Sequence, residues 1–208
     1  RLEEFHSPSL ENPYISSNFE MVNDFPCSKH PVLVKKIDVL EIWHKLDTRF
    51  KEPLASINMH FHSSINNLHS SKSRIMLDLL IYLLKYQLTE ELYLAAQANL
   101  KCNMVQSIWG GLVIQVSGFN HKLPLFLRAT IRAIKNFTSE FKSEIFDLAK
   151  IQLRKHYYNV LLDPGTLAEQ LLDTIIHEPY HNMVDRYNRV LYIDETTFLS
   201  FVETFFSS

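Results

Sequence analysis

The sequence is poor in cysteine and in glycine. Only two cysteines, Cys27 and Cys102, occur among 208 residues, which rules out a disulfide framework and indicates a reducing compartment. The chain has four glycines, too few and too scattered for a phosphate-binding loop. We therefore expect a cytoplasmic protein whose fold depends on its core rather than on covalent cross-links.

The chain also lacks an excess of either charge and a long apolar run. Lys and Arg number 21 against 23 Asp and Glu, for a net charge of -2. That balance gives no reason to expect a nucleic acid or an anionic membrane as partner. The most apolar run, Ile75 to Leu84, is shorter than the roughly 20 residues that a membrane-spanning helix needs. We interpret it as a buried helix and predict no membrane span.

Residues 1–31 form an irregular stretch. It contains Pro8, Pro13, Pro26 and Pro31 and shows no sustained period of apolar residues. Because proline interrupts both helices and sheet ladders, we interpret residues 1–31 as an incoming linker or the end of a preceding domain. Residues 32–208 would then form one folded unit.

Strand candidates open this unit. Val32–Val34 and Leu40–Trp43 are short segments rich in β-branched and apolar residues, and Ala55–His62 alternates strictly between apolar and polar side chains. A period of two places one set of side chains on a core and the other on a polar face. A hairpin is predicted further along, where two alternating segments flank Gly110-Gly111.

Helical patterns fill the rest of the chain. Ser70–Gln87 is apolar almost all round and should be a central helix, and Thr89 can cap a second helix. Later helices are predicted at about residues 124–137, 139–162, 166–178 and 182–191, and from Asp194 to Phe205. On the second of these, one stripe should hold Phe141, Ile145, Leu148 and Leu153. This order of elements predicts an α+β fold with helices packed on one face of an antiparallel sheet.

The string His177-Glu178-Pro179-Tyr180-His181 matches the zinc-binding pattern H-E-x-x-H. That chemistry requires both histidines on one face of a helix, one turn apart, with the glutamate as base. Pro179 lies inside this turn, where a proline costs on the order of 3 kcal/mol. We interpret the match as chance and predict a helix break flanked by two surface histidines. A small zinc enzyme that uses His177 and His181 is the weaker alternative.

His60 and His62 stand at alternate positions of one predicted strand, on its polar face. Such a pair can supply two zinc ligands, and His44 or His69 could add a third. A polar sheet face is the simpler interpretation. We therefore predict no metal-binding, catalytic or cofactor-binding residue in this chain.

A basic stripe is predicted on the long helix, where Lys150, Arg154 and Lys155 are followed by His156. A solvated helix face is the simpler interpretation, and a site for an anionic ligand or an acidic peptide is the alternative. Cys102 alternates with apolar neighbours and should face the core.

Several strings occur together along the chain. They are Asn12-Pro13-Tyr14-Ile15-Ser16-Ser17-Asn18-Phe19, Trp43-His44-Lys45-Leu46-Asp47, Phe50-Lys51-Glu52-Pro53-Leu54-Ala55, Gly118-Phe119-Asn120-His121-Lys122-Leu123-Pro124-Leu125, and Tyr157-Tyr158-Asn159 before Leu162-Asp163-Pro164. In these strings the chain resembles the insulinase/pitrilysin-type zinc metallopeptidase family. The resemblance is collinear and covers nearly the whole chain, which makes it more specific than any single string.

The resemblance implies where the chain belongs in a larger enzyme. Members of the family have four related α+β domains in two halves that close like a clamshell, and zinc lies in the first domain on an H-x-x-E-H motif. The metal activates a water for peptide hydrolysis, and the glutamate acts as general base. This chain resembles the third, middle domain, whose corresponding helix, about Ser73 to Leu84, has neither His nor Glu. No catalytic residue can therefore be assigned here, and zinc is expected only in the catalytic domain of the parent protein.

Two functions follow as expectations. The first is a non-catalytic domain that walls the peptide chamber of a zinc metalloendopeptidase, with the other domains of the same polypeptide and peptide substrates as partners. The second is a stand-alone or inactive-paralogue binding module of the same fold. The resemblance also implies a closing strand that the chain would lack. An unpaired sheet edge favours association, so a homo-oligomer is an open alternative.

Overall fold

A computed structural model of the chain describes residues 12–21, 28–63, 70–107, 111–176 and 183–207. The strands are β1 (Val32–Ile37), β2 (Leu40–His44), β3 (Leu54–Phe61), β4 (Lys101–Gln106) and β5 (Leu112–Phe119). The helices are α1 (Ser71–Gln87), α2 (Thr89–Gln97), α3 (Leu123–Asn136), α4 (Ser143–Leu162), α5 (Pro164–Ile176), α6 (Met183–Arg189) and α7 (Glu195–Ser207), with a 3-10 turn at Val190–Tyr192. No helix in these ranges combines the length and the apolar character that crossing a membrane requires.

The main sheet has three antiparallel strands in the order β3-β5-β4. The predicted alternation of β3 is confirmed: every second residue, from Ala55 to Phe61, is half-buried and the residues between them are exposed. β5 lies in the centre, and Leu112, Ile114 and Val116 turn one of its faces into the core. Helices cover this face, so the predicted α+β fold with helices on an antiparallel sheet is confirmed.

β1 and β2 form a separate antiparallel ribbon and do not pair with the main sheet. The two strands are where the sequence predicts them, but every residue of β1 is exposed. A bulge between Leu33 and Lys35 shifts the register, so that Lys35 stands opposite Ile42 and Ile37 opposite Leu40. Pairing within the described strands therefore gives two sheets where the sequence pattern suggests a continuous one.

Helix α1 is the centre of the core, as predicted. Its Ile75, Leu77, Leu80 and Leu84 are fully buried, and the helix packs against β4. The helix begins after Ser70, whose side-chain oxygen accepts a hydrogen bond from the Ser73 amide at 3.1 Å. This N-cap satisfies one of the amides that the first turn leaves without a partner.

The prediction that Thr89 caps α2 is wrong. α2 follows α1 with one residue between them, Leu88, which ends the first helix and precedes the second. The Leu88 carbonyl accepts a hydrogen bond from the Leu92 amide at 2.7 Å, so a backbone acceptor rather than a side chain closes the first turn of α2. The Thr89 hydroxyl instead donates to the Tyr86 carbonyl at 2.7 Å. There it satisfies an acceptor at the end of α1.

Helix α4 starts at Ser143, four residues later than predicted, and its buried stripe also differs. The buried residues are Phe146, Ala149, Leu153 and Tyr157. Of the predicted stripe Leu153 is buried, Phe141 and Ile145 are partly buried and pack against the core, and Leu148 is 43% exposed. Residues 137–140 form a turn, and the side of α4 that meets the core is centred on Phe146 and Ala149 rather than on Ile145 and Leu148.

An aromatic cluster joins α3, α4 and α7. Phe146 and Phe198 have ring centroids 5.1 Å apart, and Phe137 meets Phe198 edge-on at 6.1 Å. Asp194 places α7 by accepting the Thr197 amide through Oδ1 at 2.8 Å, which confirms the predicted cap. Aromatic pairs at these separations stabilise a fold beyond their area burial.

Residues 12–21 run across α2, α3 and the end of β5. Tyr14 is 2% exposed, and its ring meets Phe126 of α3 edge-on at 5.5 Å. Its hydroxyl donates to Glu91 of α2, and Asn12 donates to the Leu94 carbonyl at 2.7 Å. This part of the predicted linker therefore packs on the domain.

Gly118 in β5 allows a close backbone approach. Its φ is +144°, and a Cβ at this position would lie 2.5 Å from Leu100 Cδ2 and 2.7 Å from the Asn99 carbonyl oxygen. Any side chain would meet the backbone before β4, so this site requires glycine.

Candidate functional site

A polar cluster on α1 is the most unusual chemistry in the described part of the chain. Asp78 lies in the middle of the apolar helix, and its Oδ2 accepts hydrogen bonds from the Tyr157 hydroxyl at 2.6 Å and from Arg186 Nη1 at 3.1 Å. Its Oδ1 accepts from Gln106 Nε2 at 2.6 Å. One carboxylate thus joins α1, α4, α6 and β4. We call these four residues the Asp78 cluster.

Burial dominates the electrostatics of this cluster. The Asp78 side chain is 20% exposed and that of Arg186 10%. Burial raises the pKa of Asp78, while the Arg186 charge, the Tyr157 hydroxyl and the nearby His156 oppose that rise. Burial and then the Asp78 charge raise the pKa of Tyr157, so the phenol stays a hydrogen-bond donor.

The arrangement can hold elements together but is unsuited to acid–base or metal chemistry. Both oxygens of Asp78 are engaged by Tyr157, Arg186 and Gln106. Gln106 is itself held, because its Nε2 also donates to the Arg74 carbonyl. These donors occupy three of the roughly four lone-pair positions of the carboxylate, so binding a metal ion or taking up a proton would weaken the bonds that join the helices. The geometry therefore describes a structural brace.

The sequence contains one signal for this cluster. Asp78 is the only acidic residue in the apolar run from Ile75 to Leu84, and a charge in a buried helix is almost always paired. Its partners could not be found from the sequence, since Tyr157 and Arg186 are 79 and 108 positions away.

The structure brings His60 and His62 together on the polar face of β3. Their rings stack with centroids 6.3 Å apart, and both side chains are exposed. His44 lies on β2, in the separate ribbon, and His69 lies outside the described residues. Within the described ranges, no three side chains of His, Cys, Asp or Glu are placed to hold a metal ion.

His177-Glu178-Pro179-Tyr180-His181 lies outside the described residues, as does Cys27. The predicted helix break at Pro179 therefore stays a prediction. The neighbouring elements are α5, which ends at Ile176, and α6, which begins at Met183.

The basic stripe on α4 is not a uniformly solvated face. Lys150 forms an ion pair with Asp147 at 2.8 Å, and its Nζ lies 4.8 Å from the centre of the Phe146 ring. The Arg154 guanidinium lies 4.5 Å over the Tyr187 ring of α6. Lys150 and Arg154 are therefore used in packing the helices, while Lys155 and His156 are exposed.

Cys102 packs against the core, as the sequence predicts. Burial raises the pKa of its thiol to about 11. Because the thiolate is the reactive form of cysteine, this residue is unsuited to nucleophilic catalysis near neutral pH.

The fold matches one found in a solved structure. The crystal structure of pitrilysin superimposes on 93% of this chain with a TM-score of 0.79 and 18% sequence identity, and the match covers 20% of the pitrilysin chain. At this identity the likeness shows the fold alone. The chain therefore has the fold of a pitrilysin-like α+β domain.

Sequence comparison places the chain within that class. Residues 1–189 match the family model for the middle or third domain of peptidase M16. Nardilysin of Homo sapiens is 32% identical over 204 residues, which are 97% of this chain and 17% of nardilysin. Insulin-degrading enzyme of Homo sapiens is 29% identical over 144 residues, 67% of this chain and 13% of that enzyme. The chain belongs to the peptidase M16 family, as its middle or third domain.

These findings confirm the resemblance to insulinase-type peptidases and the assignment as a middle domain. The chain spans about one sixth of the length of the nardilysin that it matches. The match to this one domain does not by itself assign the activity, the substrates or the further partners of a whole protein.

Proposed function

We propose that the chain is a non-catalytic middle domain of a zinc-dependent metalloendopeptidase and forms part of the wall of its peptide chamber. The observation that carries this proposal is the match of residues 1–189 to the middle or third domain of peptidase M16. Nardilysin and insulin-degrading enzyme, which carry the same kind of domain, support it.

The chemistry of the central helix supports a non-catalytic role. α1 has neither His nor Glu, and its one acidic residue, Asp78, is engaged by Tyr157, Arg186 and Gln106. The described residues thus do not fit a zinc ion, whose binding needs three or four convergent donors. The zinc of the proposed parent would lie in another domain, and this chain would contribute shape and support to the chamber.

Rigidity is the property that a wall requires, and the packing supplies it. The Asp78 cluster ties three helices to β4, and the aromatic cluster ties α3 to α4 and α7. We propose the other domains of the same polypeptide and the enclosed peptides as partners, and the cytoplasm as location.

The test requires the full-length polypeptide. We expect an H-x-x-E-H motif in its sequence, and replacing the glutamate of that motif by glutamine should abolish hydrolysis of a fluorogenic peptide. His181→Ala in this domain should leave kcat and the zinc content, measured by elemental analysis, unchanged. A full-length sequence without the motif would favour the inactive binding module. Loss of zinc and of hydrolysis in His181→Ala would instead favour a site in this chain.

A further inference from the structure

Helix α5 exposes its most apolar residues to solvent. Leu171 and Leu172 are 55% and 54% exposed, and Ile175 and Ile176 are 81% and 61% exposed. Positions i, i+1, i+4 and i+5 of a helix lie on one side, so these four side chains form one continuous surface. We call it the α5 stripe.

The opposite side of α5 faces the domain and is mostly polar. Gln170 and Asp173 are half-buried there together with Leu167, and no residue of the helix is fully buried. An amphipathic helix on a finished surface normally shows the reverse arrangement, with its apolar side inward. The orientation of α5 is thus the one expected of a helix that is covered from outside.

The helix is fixed at its start, so the stripe has a defined position. Asp163 Oδ2 accepts the Thr166 amide at 2.9 Å, and the Leu167 amide bonds to the Asp163 carbonyl at 2.9 Å. α5 also packs on α4. A defined apolar surface is what a stable interface requires, since little ordering entropy is lost on docking.

We propose that the α5 stripe is the docking surface for a neighbouring domain of the same polypeptide. The inference rests on the proposed function only in requiring such domains, and the nardilysin match supports them, since this chain corresponds to 17% of that protein. A partner on the same chain acts at an effective concentration of about 1 mM or more. It therefore outcompetes a second copy of the protein.

The charges on α5 indicate what kind of surface its partner should have. Glu169 is exposed and borders the stripe, whereas Asp173 lies on the side that faces the domain, and the sequence of α5 contains no Lys or Arg. Complementary surfaces pair opposite charges around an apolar centre. The partner should therefore present an apolar patch with a basic rim.

The experiment compares two aspartate substitutions at adjacent positions in the full-length protein. Ile175→Asp places a charge in the stripe, and Thr174→Asp places the same charge beside it at a position that is exposed but outside the stripe. Hydrogen exchange of the α5 amides, followed by mass spectrometry, is the readout. We expect slow exchange in the wild type and in Thr174→Asp, and roughly 10- to 100-fold faster exchange in Ile175→Asp.

Each other outcome overturns the proposal. Fast exchange of α5 in the wild type, or equal exchange in both variants, means that nothing covers the stripe. Protection that grows with protein concentration, together with a dimer mass that Ile175→Asp reduces to a monomer, identifies a second copy as the occupant. Protection that appears only with an excess of tryptic casein peptides identifies substrate. Peptide hydrolysis that persists in any of these cases leaves the proposed function standing while this inference fails.

Discussion

Asp78 on α1 and Tyr157 on α4 are joined by a hydrogen bond of 2.6 Å between the phenol and the carboxylate, across 79 positions of the chain. Arg186 Nη1 of α6 donates a second hydrogen bond to the same oxygen, Asp78 Oδ2, at 3.1 Å. The three helices therefore meet at one buried charge, and the stability of their packing should depend on it.

Removing that charge should be strongly destabilising. Asp78→Ala leaves the buried Arg186 without its counter-charge, and breaking a buried pair in this way costs about 3–5 kcal/mol. Urea unfolding of the purified domain measures the change. Glu41→Gln is the control, because Glu41 forms its ion pair with Lys36 in an exposed ribbon, where no measurable change is expected. Equal midpoints for the two variants would contradict a bracing role for Asp78.

The N-cap of α7 should give the domain a pH-dependent stability. Hydrogen bonds from Thr196 and Thr197 hold the pKa of Asp194 well below its usual value of 3.8. A lowered pKa in the folded state stabilises the fold above the unfolded pKa, and that contribution is lost as the pH falls through the folded pKa.

The comparison uses Asp194→Asn, which keeps an oxygen acceptor but does not titrate. Thermal unfolding of both proteins should show a wild-type advantage at about pH 6 that shrinks towards about pH 2. A difference in melting temperature that stays constant with pH would contradict the assignment to Asp194.

Gly118 and Gly165 should respond to alanine in opposite ways. At Gly118 the added Cβ would lie 2.5 Å from Leu100 Cδ2 at a φ of +144°, so Gly118→Ala should cost at least 1–3 kcal/mol. At Gly165, in the first turn of α5, the nearest atom is Asp163 Oδ2 at 3.7 Å. Gly165→Ala should therefore raise stability by about 0.4–1 kcal/mol. Chemical denaturation of the two variants in parallel tests both signs.

Cys102 should resist alkylation while the domain is folded. Burial raises the pKa of its thiol from 9.0 to about 11, which lowers the thiolate fraction about 100-fold near pH 8. In a Cys27→Ser background, the rate of reaction with iodoacetamide should be at least that much slower in buffer than in denaturing urea. Comparable rates in the two solvents would show that Cys102 is accessible and ionised.

Sequence patterns predict the elements of this fold better than their arrangement. The alternation in β3 and the apolar run of α1 are local properties, and both predictions are confirmed. The sequence does not predict that α4 begins at Ser143, because residues 139–142 carry no strong helix-breaking residue. It does not predict the pairing of Asp78 with Arg186 either, because no local pattern reports on contacts between positions 108 residues apart.

Strings distributed along the whole chain indicate the family, whereas periodicity alone indicates only the fold class. The Gly118-to-Leu125 string shows why such strings are specific: Gly118 is required by the approach of Leu100, and Leu123 enters the core at the start of α3. In a close-packed interior few other side chains fit such positions, so the order of these residues carries information that composition does not.

The strand order β3-β5-β4 has a consequence for synthesis of the protein. Phe61 pairs with Leu112, and the chain between them contains α1, α2 and β4. During synthesis β3 therefore cannot pair until β5 has left the ribosome. In that interval its inward-facing side chains, Ile57 and Met59, lie on an unpaired strand. A nascent chain with an apolar strand that cannot yet pair is a substrate for chaperones.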